Sequence, residues 1–161
     1  FSLFVHMNIN NSVIIIQSTS FCNFNCKYCY ITESERKQKN IISFDLLEKL
    51  IQICHNSNNI QSNLHINWHA GEPLSTGIEF YSSFNSLLEK YKLHHQYNIL
   101  QSFQSNGAYI NKEWCEFLKS NHMGIGISID GPEFLHNKNR LTWGNKGTFK
   151  LTMKGILIVF L

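Results

Sequence analysis

Four times along this chain a short β-branched or alternating run is followed by a stretch with helical spacing. That order restricts the fold more than any other feature. Residues 12–18 (SVIIIQS) are short and rich in β-branched side chains, as in a buried strand. Residues 44–54 then place Leu47, Leu50, Ile51 and Cys54 on one helical face, with Ser43 or Asp45 as the cap. Residues 64–68 (LHINW) alternate as a strand does, and 78–91 set Tyr81, Phe84, Leu88 and Tyr91 three and four apart. A third strand is expected over 98–103, and Asn111 stands where it can cap a helix carrying Trp114, Cys115, Phe117 and Leu118. A fourth strand is expected over 126–129, with a last helix starting near Gly147 or Thr148. Four β-then-α units predict an α/β fold with a parallel sheet and helices outside it. Right-handed crossovers bring the carboxyl ends of all strands to one edge, where chemistry collects in such folds.

The 161 residues are 43% hydrophobic, enough for one domain with a sizeable core. The charged fraction of 16% lies below the usual value of about a quarter. A net charge of +3, spread along the chain, argues against a nucleic-acid partner and only weakly favours an acidic or peptide one. The longest apolar runs, 13–16 and 156–161, are too short to span a bilayer. Residues 1–7 lack the basic start and long apolar stretch of a signal peptide. The expectation is therefore a cytoplasmic protein with no membrane partner. No internal repeat or low-complexity linker is visible. A start on Phe1 and an end on an apolar run suggest a fragment.

Five cysteines, an odd number, do not suggest a disulfide framework. Three of them lie within eight residues as Cys22, Cys26 and Cys29, spaced C-x3-C-x2-C, which points to metal binding in a reducing compartment. Three thiolates this close can grip three corners of an iron–sulfur cube and leave the fourth iron open to a small molecule. Structural zinc is a rival, and would make the chain a zinc-binding interaction module. It needs four ligands, and neither the eight histidines nor Cys54 have zinc-finger spacing. A four-cysteine ferredoxin cluster would need a further nearby cysteine and usually a following proline, and neither is present. Cys54 and Cys115 lie on apolar helix faces and read as core residues.

Three more segments follow expected strands. In 69–73 (HAGEP), Gly71 lets the backbone approach a ligand and Glu72 can accept hydrogen bonds from an ammonium; the plainer reading is a turn with an exposed Glu. In 104–107 (QSNG), Asn106-Gly107 is also an ordinary turn signal. After 128–132 (SIDGP) come His136 and Arg140, whose fork suits a carboxylate and whose plainer reading is a solvated charge.

Taken together, these motifs resemble those of the radical S-adenosylmethionine (SAM) superfamily. The cysteine spacing directly after the first strand, with Tyr28 before the last cysteine, is similar to that family's signature. Residues 70–73 resemble its GGEP motif with Ala70 for the first Gly, and 105–107 its TNG segment with Ser105 for Thr. The stretch from Ser128 to Pro132 with His136 and Arg140 resembles the SxDGP…H…R stretch of the sulfatase-maturase and peptide-maturase branch, whose members often carry a C-terminal SPASM domain. A softer likeness, in 68–74, 113–115 and 147–155, is to maturases that crosslink ribosomally made precursor peptides, the cyclophane-forming group included.

The resemblance implies a [4Fe–4S] cluster on Cys22, Cys26 and Cys29, with SAM on the open iron. In the family the cluster donates one electron, the sulfonium C–S bond breaks, and a 5′-deoxyadenosyl radical takes a hydrogen atom, here from a precursor peptide or protein. It implies SAM contacts from Tyr28, Gly71, Glu72, Ser128 and Arg140, with 104–107 lining the SAM pocket or forming a plain turn, Asp130 contacting SAM or shaping the turn, and His136 bracing the loop. No side chain is implied as catalytic, and a reductant such as flavodoxin or ferredoxin is. The implied fold is a partial (β/α)6 barrel. Residues 1–161 would be the N-terminal portion of that core, with about four units present and the last units and any SPASM domain absent. Such a piece would expose a strand edge, and 156–161 would be a buried helix turn or a truncated or frame-shifted end. A catalytically inactive fragment that keeps the cluster loop is the remaining alternative.

Overall fold

The isoleucine-rich run forms β1 (Asn11–Ile16), the first of four parallel strands. β2 (Asn63–Trp68), β3 (Asn98–Ser105) and β4 (Gly124–Ile127) follow it across the sheet in chain order. This computed structural model describes residues 11–57, 60 and 62–160; residues 1–7 and Leu161, read above from sequence, lie outside the described residues. A parallel sheet built in sequence order, with helices in each crossover, is the start of a β/α barrel.

The register sorts the side chains into two faces. Ile16 lies opposite Trp68, Trp68 opposite Phe103, and Phe103 opposite Ile125, all turned toward the helices. One residue earlier, Ile15, Asn67, Ser102 and Gly124 form the row on the other face. α2 (Phe44–Asn56) covers the outer face with Leu47, Ile51 and Cys54, and α3 (Ile78–Lys90) with Phe80, Tyr81, Phe84 and Leu88. Trp68 meets Phe84 and Tyr81 edge-on at centroid distances of 4.7 and 5.0 Å, and Tyr81 meets Phe103 at 4.7 Å. Such tilted aromatic contacts add about 1 kcal/mol each beyond the area they bury.

Caps fix where the helices begin. The Ser43 hydroxyl accepts the Leu46 N–H at 3.3 Å, which selects it over Asp45. Asn111 accepts the Trp114 N–H at 2.9 Å and starts α4 (Lys112–Ser120). Two short helices were not anticipated: α1 (Glu33–Arg36), opened by a Thr32/Glu35 capping box, and α5 (Glu133–Asn139). β4 also begins and ends two residues earlier than expected, because two glycines weaken its strand pattern. The segment from Ser128 therefore lies just beyond the strand.

α6 (Phe149–Val159) corrects the reading of the chain's end as a buried turn, since Leu157 and Phe160 are exposed. The helix packs instead through Gly155, where a Cβ would collide with the backbone of Gly107. Beside it, Cys115, Leu118, Met123, Ile125 and Ile158 line an apolar groove. Cys115 is half-buried there, while Cys54 is fully in the core. Among the described residues no helix is long and apolar enough to cross a membrane.

Candidate functional site at the carboxyl edge of the sheet

Each strand of this sheet hands over to a loop at the same edge, and the loops are stitched to one another. The cysteine loop after β1 is held by the segment that follows α5. Asn25 N–H donates to Leu141 O at 2.6 Å and Lys27 N–H to Asn139 O at 3.0 Å, and the Trp143 indole N–H reaches Cys22 O at 2.9 Å. Cys22 is buried, and burial pushes its thiol up to about 12; burial raises Cys26 as well. Two N–H groups, Phe24 N at 3.4 Å and Asn106 Nδ2 at 3.7 Å, point at the Cys22 sulfur.

The loop after β2 must pass very close to the cysteine loop. Gly71 sits at φ +60°, and a Cβ there would strike the carbonyl of Thr19, so the position accepts glycine alone. Ala70 before it also adopts a left-handed conformation, φ 72°, which strains a residue that has a Cβ. Glu72 is 1% exposed. Its carboxylate accepts from Ser105 Oγ at 2.8 Å, Asn106 N at 2.8 Å and Leu74 N at 3.2 Å, all donors of this chain. Burial pushes its pKa up to about 7 against the pull of those donors. Gly71 thus brings its backbone against the cysteine loop, while the Glu72 carboxylate faces the loop after β3.

The loop after β4 makes a second network. Tyr28 OH donates to one oxygen of Asp130 at 2.6 Å, and Arg140 Nε donates to the other at 2.8 Å. The Arg140 guanidinium also lies 5.5 Å over the Tyr28 ring. Burial alone would raise Asp130, but the bonds from Tyr28 and Arg140 hold it below the usual carboxylate range. Ser128 stands at the end of this edge and accepts from Gln104 Nε2 at 2.8 Å. His136 is fully buried and held below its ordinary pKa by desolvation. Asp130 N–H donates to His136 Nδ1 at 3.4 Å. His136 Nε2–H then donates to Thr148, whose hydroxyl donates to Arg140 O. That relay works only with a neutral imidazole protonated at Nε2.

The Radical SAM superfamily matches residues 16–159 of the chain.

The chain belongs to the radical SAM superfamily.

Among its relatives, the uncharacterized protein sll1766 of Synechocystis sp. is 44% identical over 90% of this chain and 37% of its own length. The cysteine-type anaerobic sulfatase-maturating enzyme of Clostridium novyi is 34% identical over 92% of this chain and 40% of its own length. The solved structure of native anSMEcpe with bound AdoMet superposes with a TM-score of 0.80 at 28% identity, covering 93% of this chain and 40% of that one. The same protein with bound AdoMet and Cp18Cys peptide gives 0.77. The chain thus spans about 40% of the length of the relatives it matches.

For a radical SAM protein the donor set has suitable chemistry. The cysteines are free, and N–H donors already aim at the Cys22 sulfur, as they do at anionic cluster sulfurs. Among the described residues no three His, Cys, Asp or Glu side chains gather tightly enough to hold one metal ion.

Two residues of the site, Tyr81 and Arg36, escaped sequence reading, and Asn106 was read only as part of a motif or turn. Asn106 bonds Cys22, Asn23 and Glu72 at once, joining three loops. Tyr81 looked like core, yet its hydroxyl donates to Pro73 O at 2.7 Å and meets Ser18 and Thr76. Arg36 is a buried cation beneath the cysteine loop. Its one sequence signal was the capping box that opens α1.

Proposed function

We propose that the chain is the N-terminal, cluster-bearing portion of a radical SAM maturase that acts on a peptide or protein. Cys22, Cys26 and Cys29 would hold the [4Fe–4S] cluster. When bound, the cluster and SAM supply reductive sulfonium cleavage and hydrogen-atom abstraction, and the chain's residues bind and orient them. The observation that carries this reading is the stitching of the other three carboxyl-edge loops around the cysteine loop, 84 residues in sequence separating Asn106 from the Cys22 sulfur it meets.

The roles of the remaining residues follow from their places. Gly71 lets the 69–73 backbone come close to the cysteine loop, leaving its neighbouring carbonyls to accept from the SAM amino group. Glu72 holds that backbone by its bonds to Leu74, Ser105 and Asn106. Arg140, fixed by Asp130 and stacked on Tyr28, presents its remaining N–H groups to a carboxylate. Tyr28 is half exposed beside the cysteines and offers a ring face to SAM. Ser128 offers a hydroxyl to SAM. Sulfatase-maturating relatives, one of them solved with a peptide, support a peptide substrate. A small reductant of the flavodoxin or ferredoxin class would deliver the electron, in the cytoplasm.

The apolar groove beside β4 and α6 supports the placement within a longer barrel, because a fifth β/α unit would cover it. The test is anaerobic reconstitution with iron and sulfide, then reduction and assay of 5′-deoxyadenosine from SAM, beside Cys26→Ala. About four irons per chain, the content of one cube, with cysteine-dependent cleavage is the expected result. Cluster assembly without cleavage would favour the inactive-fragment reading. Zinc uptake in place of iron would overturn the proposal.

A further inference from the structure

We propose that Arg36 is the fixed counter-charge of the cysteine loop, balancing the negative charge that three thiolates bring with a cluster and setting that cluster's reduction potential. The inference rests on the reading that Cys22, Cys26 and Cys29 hold an iron–sulfur cluster.

Arg36 is 4% exposed. Its Nε donates to Ile31 O at 3.0 Å and Nη1 to Phe24 O at 3.4 Å, and the guanidinium lies 5.3 Å over the Trp143 ring. All three partners are neutral. Among the described residues no carboxylate forms an ion pair with it. A guanidinium does not shed its proton inside a protein, and a buried charge with only neutral partners is strongly disfavoured. Burial of this kind calls for an anion close by.

The thiolates are the anions that the fold supplies. Both carbonyls that hold Arg36 belong to the 22–31 loop, and Cys22 N–H donates back to Arg36 O at 3.1 Å. The residue is therefore tied to the ligand loop through backbone and side chain alike. Arg140 also flanks Cys26, but its charge is matched by Asp130 at 2.8 Å. Lys37 stacks on the same indole and is exposed, so water screens it. Trp143 keeps water from Arg36, so its charge acts at low dielectric. Reduction adds negative charge to a cluster, and a nearby unscreened cation favours that reduced state.

Wild type, Arg36→Lys and Arg36→Met, each reconstituted anaerobically, provide the test. EPR-monitored redox titration gives the midpoint potential, iron analysis gives cluster retention, and thermal melts are run with and without iron. Arg36→Met should move the midpoint to a more negative potential, and Arg36→Lys should stay much nearer wild type. Arg36→Met should also lower the melting temperature of the iron-loaded protein more than that of the iron-free protein, which loses an unmatched buried charge. If Arg36→Met sheds its cluster, retention of iron by Arg36→Lys still supports a role for charge. An unchanged midpoint, equal effects of Lys and Met, or equal destabilisation with and without iron would make Arg36 a mere loop staple and overturn the assignment. Wild type that takes up no iron would overturn the cluster reading, and this assignment with it.

Discussion

On the outer face of the sheet, Leu64, Ile66, Trp68 and Phe103 are at most 1% exposed; on the inner face of the same strands, Val13, Ile15 and Leu100 are exposed by half or more. The difference comes from one step of register, since successive side chains of a strand point to opposite faces. The outer face is apolar and locked by edge-on aromatic contacts. The inner face carries His65, Asn67 and Ser102, with Ser102 Oγ bonded to His65 Nε2 at 2.8 Å and to Asn67 Nδ2 at 2.9 Å. Asn67 Oδ1 is buried there and has no hydrogen-bond partner among the described residues. Apolar burial is thus concentrated on one face, and the other face is polar and open.

The sharpest test of that division is Trp68→Ala. The side chain is wholly buried among Phe80, Tyr81 and Phe84. Its removal should cost about 3–5 kcal/mol, read as a shift of the midpoint in chemical denaturation. A loss below about 1 kcal/mol would show that the outer face does not carry the fold.

Glu72→Gln tests the boundary between the faces. An amide nitrogen in place of one oxygen leaves a backbone donor such as Asn106 N–H without its acceptor, at about 1–3 kcal/mol. The pH dependence has a definite sign. With its folded pKa raised from the ordinary carboxylate value to about 7, Glu72 contributes most below that ordinary value and loses the contribution as pH rises through about 7. The deficit of the Gln variant should therefore be larger at pH 5 than at pH 8. Melting curves at the two values check this, and a deficit that grows with pH would mean that Glu72 is held ionised.

Ala70→Gly should move stability the other way. An alanine at φ 72° is strained by about 1–2 kcal/mol, while glycine loses more chain entropy on folding, by about 0.5–1 kcal/mol. The net expectation is a gain of up to about 1 kcal/mol in denaturant titration. A loss would show that the Ala70 methyl makes a contact that matters.

The sequence made the sheet, its order and the four loops legible because hydrophobic period and motif spacing are local signals. α1 and α5 are too short to show a period, although Thr32 and Glu35 announced the first of them. β4 was displaced because Gly124 and Gly126 look like turn residues. The site was legible as residue types and not as partners. Nothing in the sequence could show that Asp130 takes both Tyr28 and Arg140, residues 102 and 10 positions away, or that Glu72 turns toward Ser105 and Asn106. Arg36 was unreadable for the same reason, since its significance lies in having no carboxylate partner among the described residues.

The smallest expected effect lies on the inner face, where Ile15→Thr keeps a β-branched side chain and removes apolar surface that is 69% exposed. Little is buried, so unfolding free energy should change by no more than about 0.5 kcal/mol. Binding is where a difference should appear. Ile15 shares a row with Asn67 and Ser102, on the face that a closed barrel would turn toward its ligands. In a full-length protein that cleaves SAM, Ile15→Thr should leave cleavage without substrate unchanged and weaken saturation by peptide. A large loss of stability would instead place Ile15 against a further packed layer and erase the contrast between the two faces.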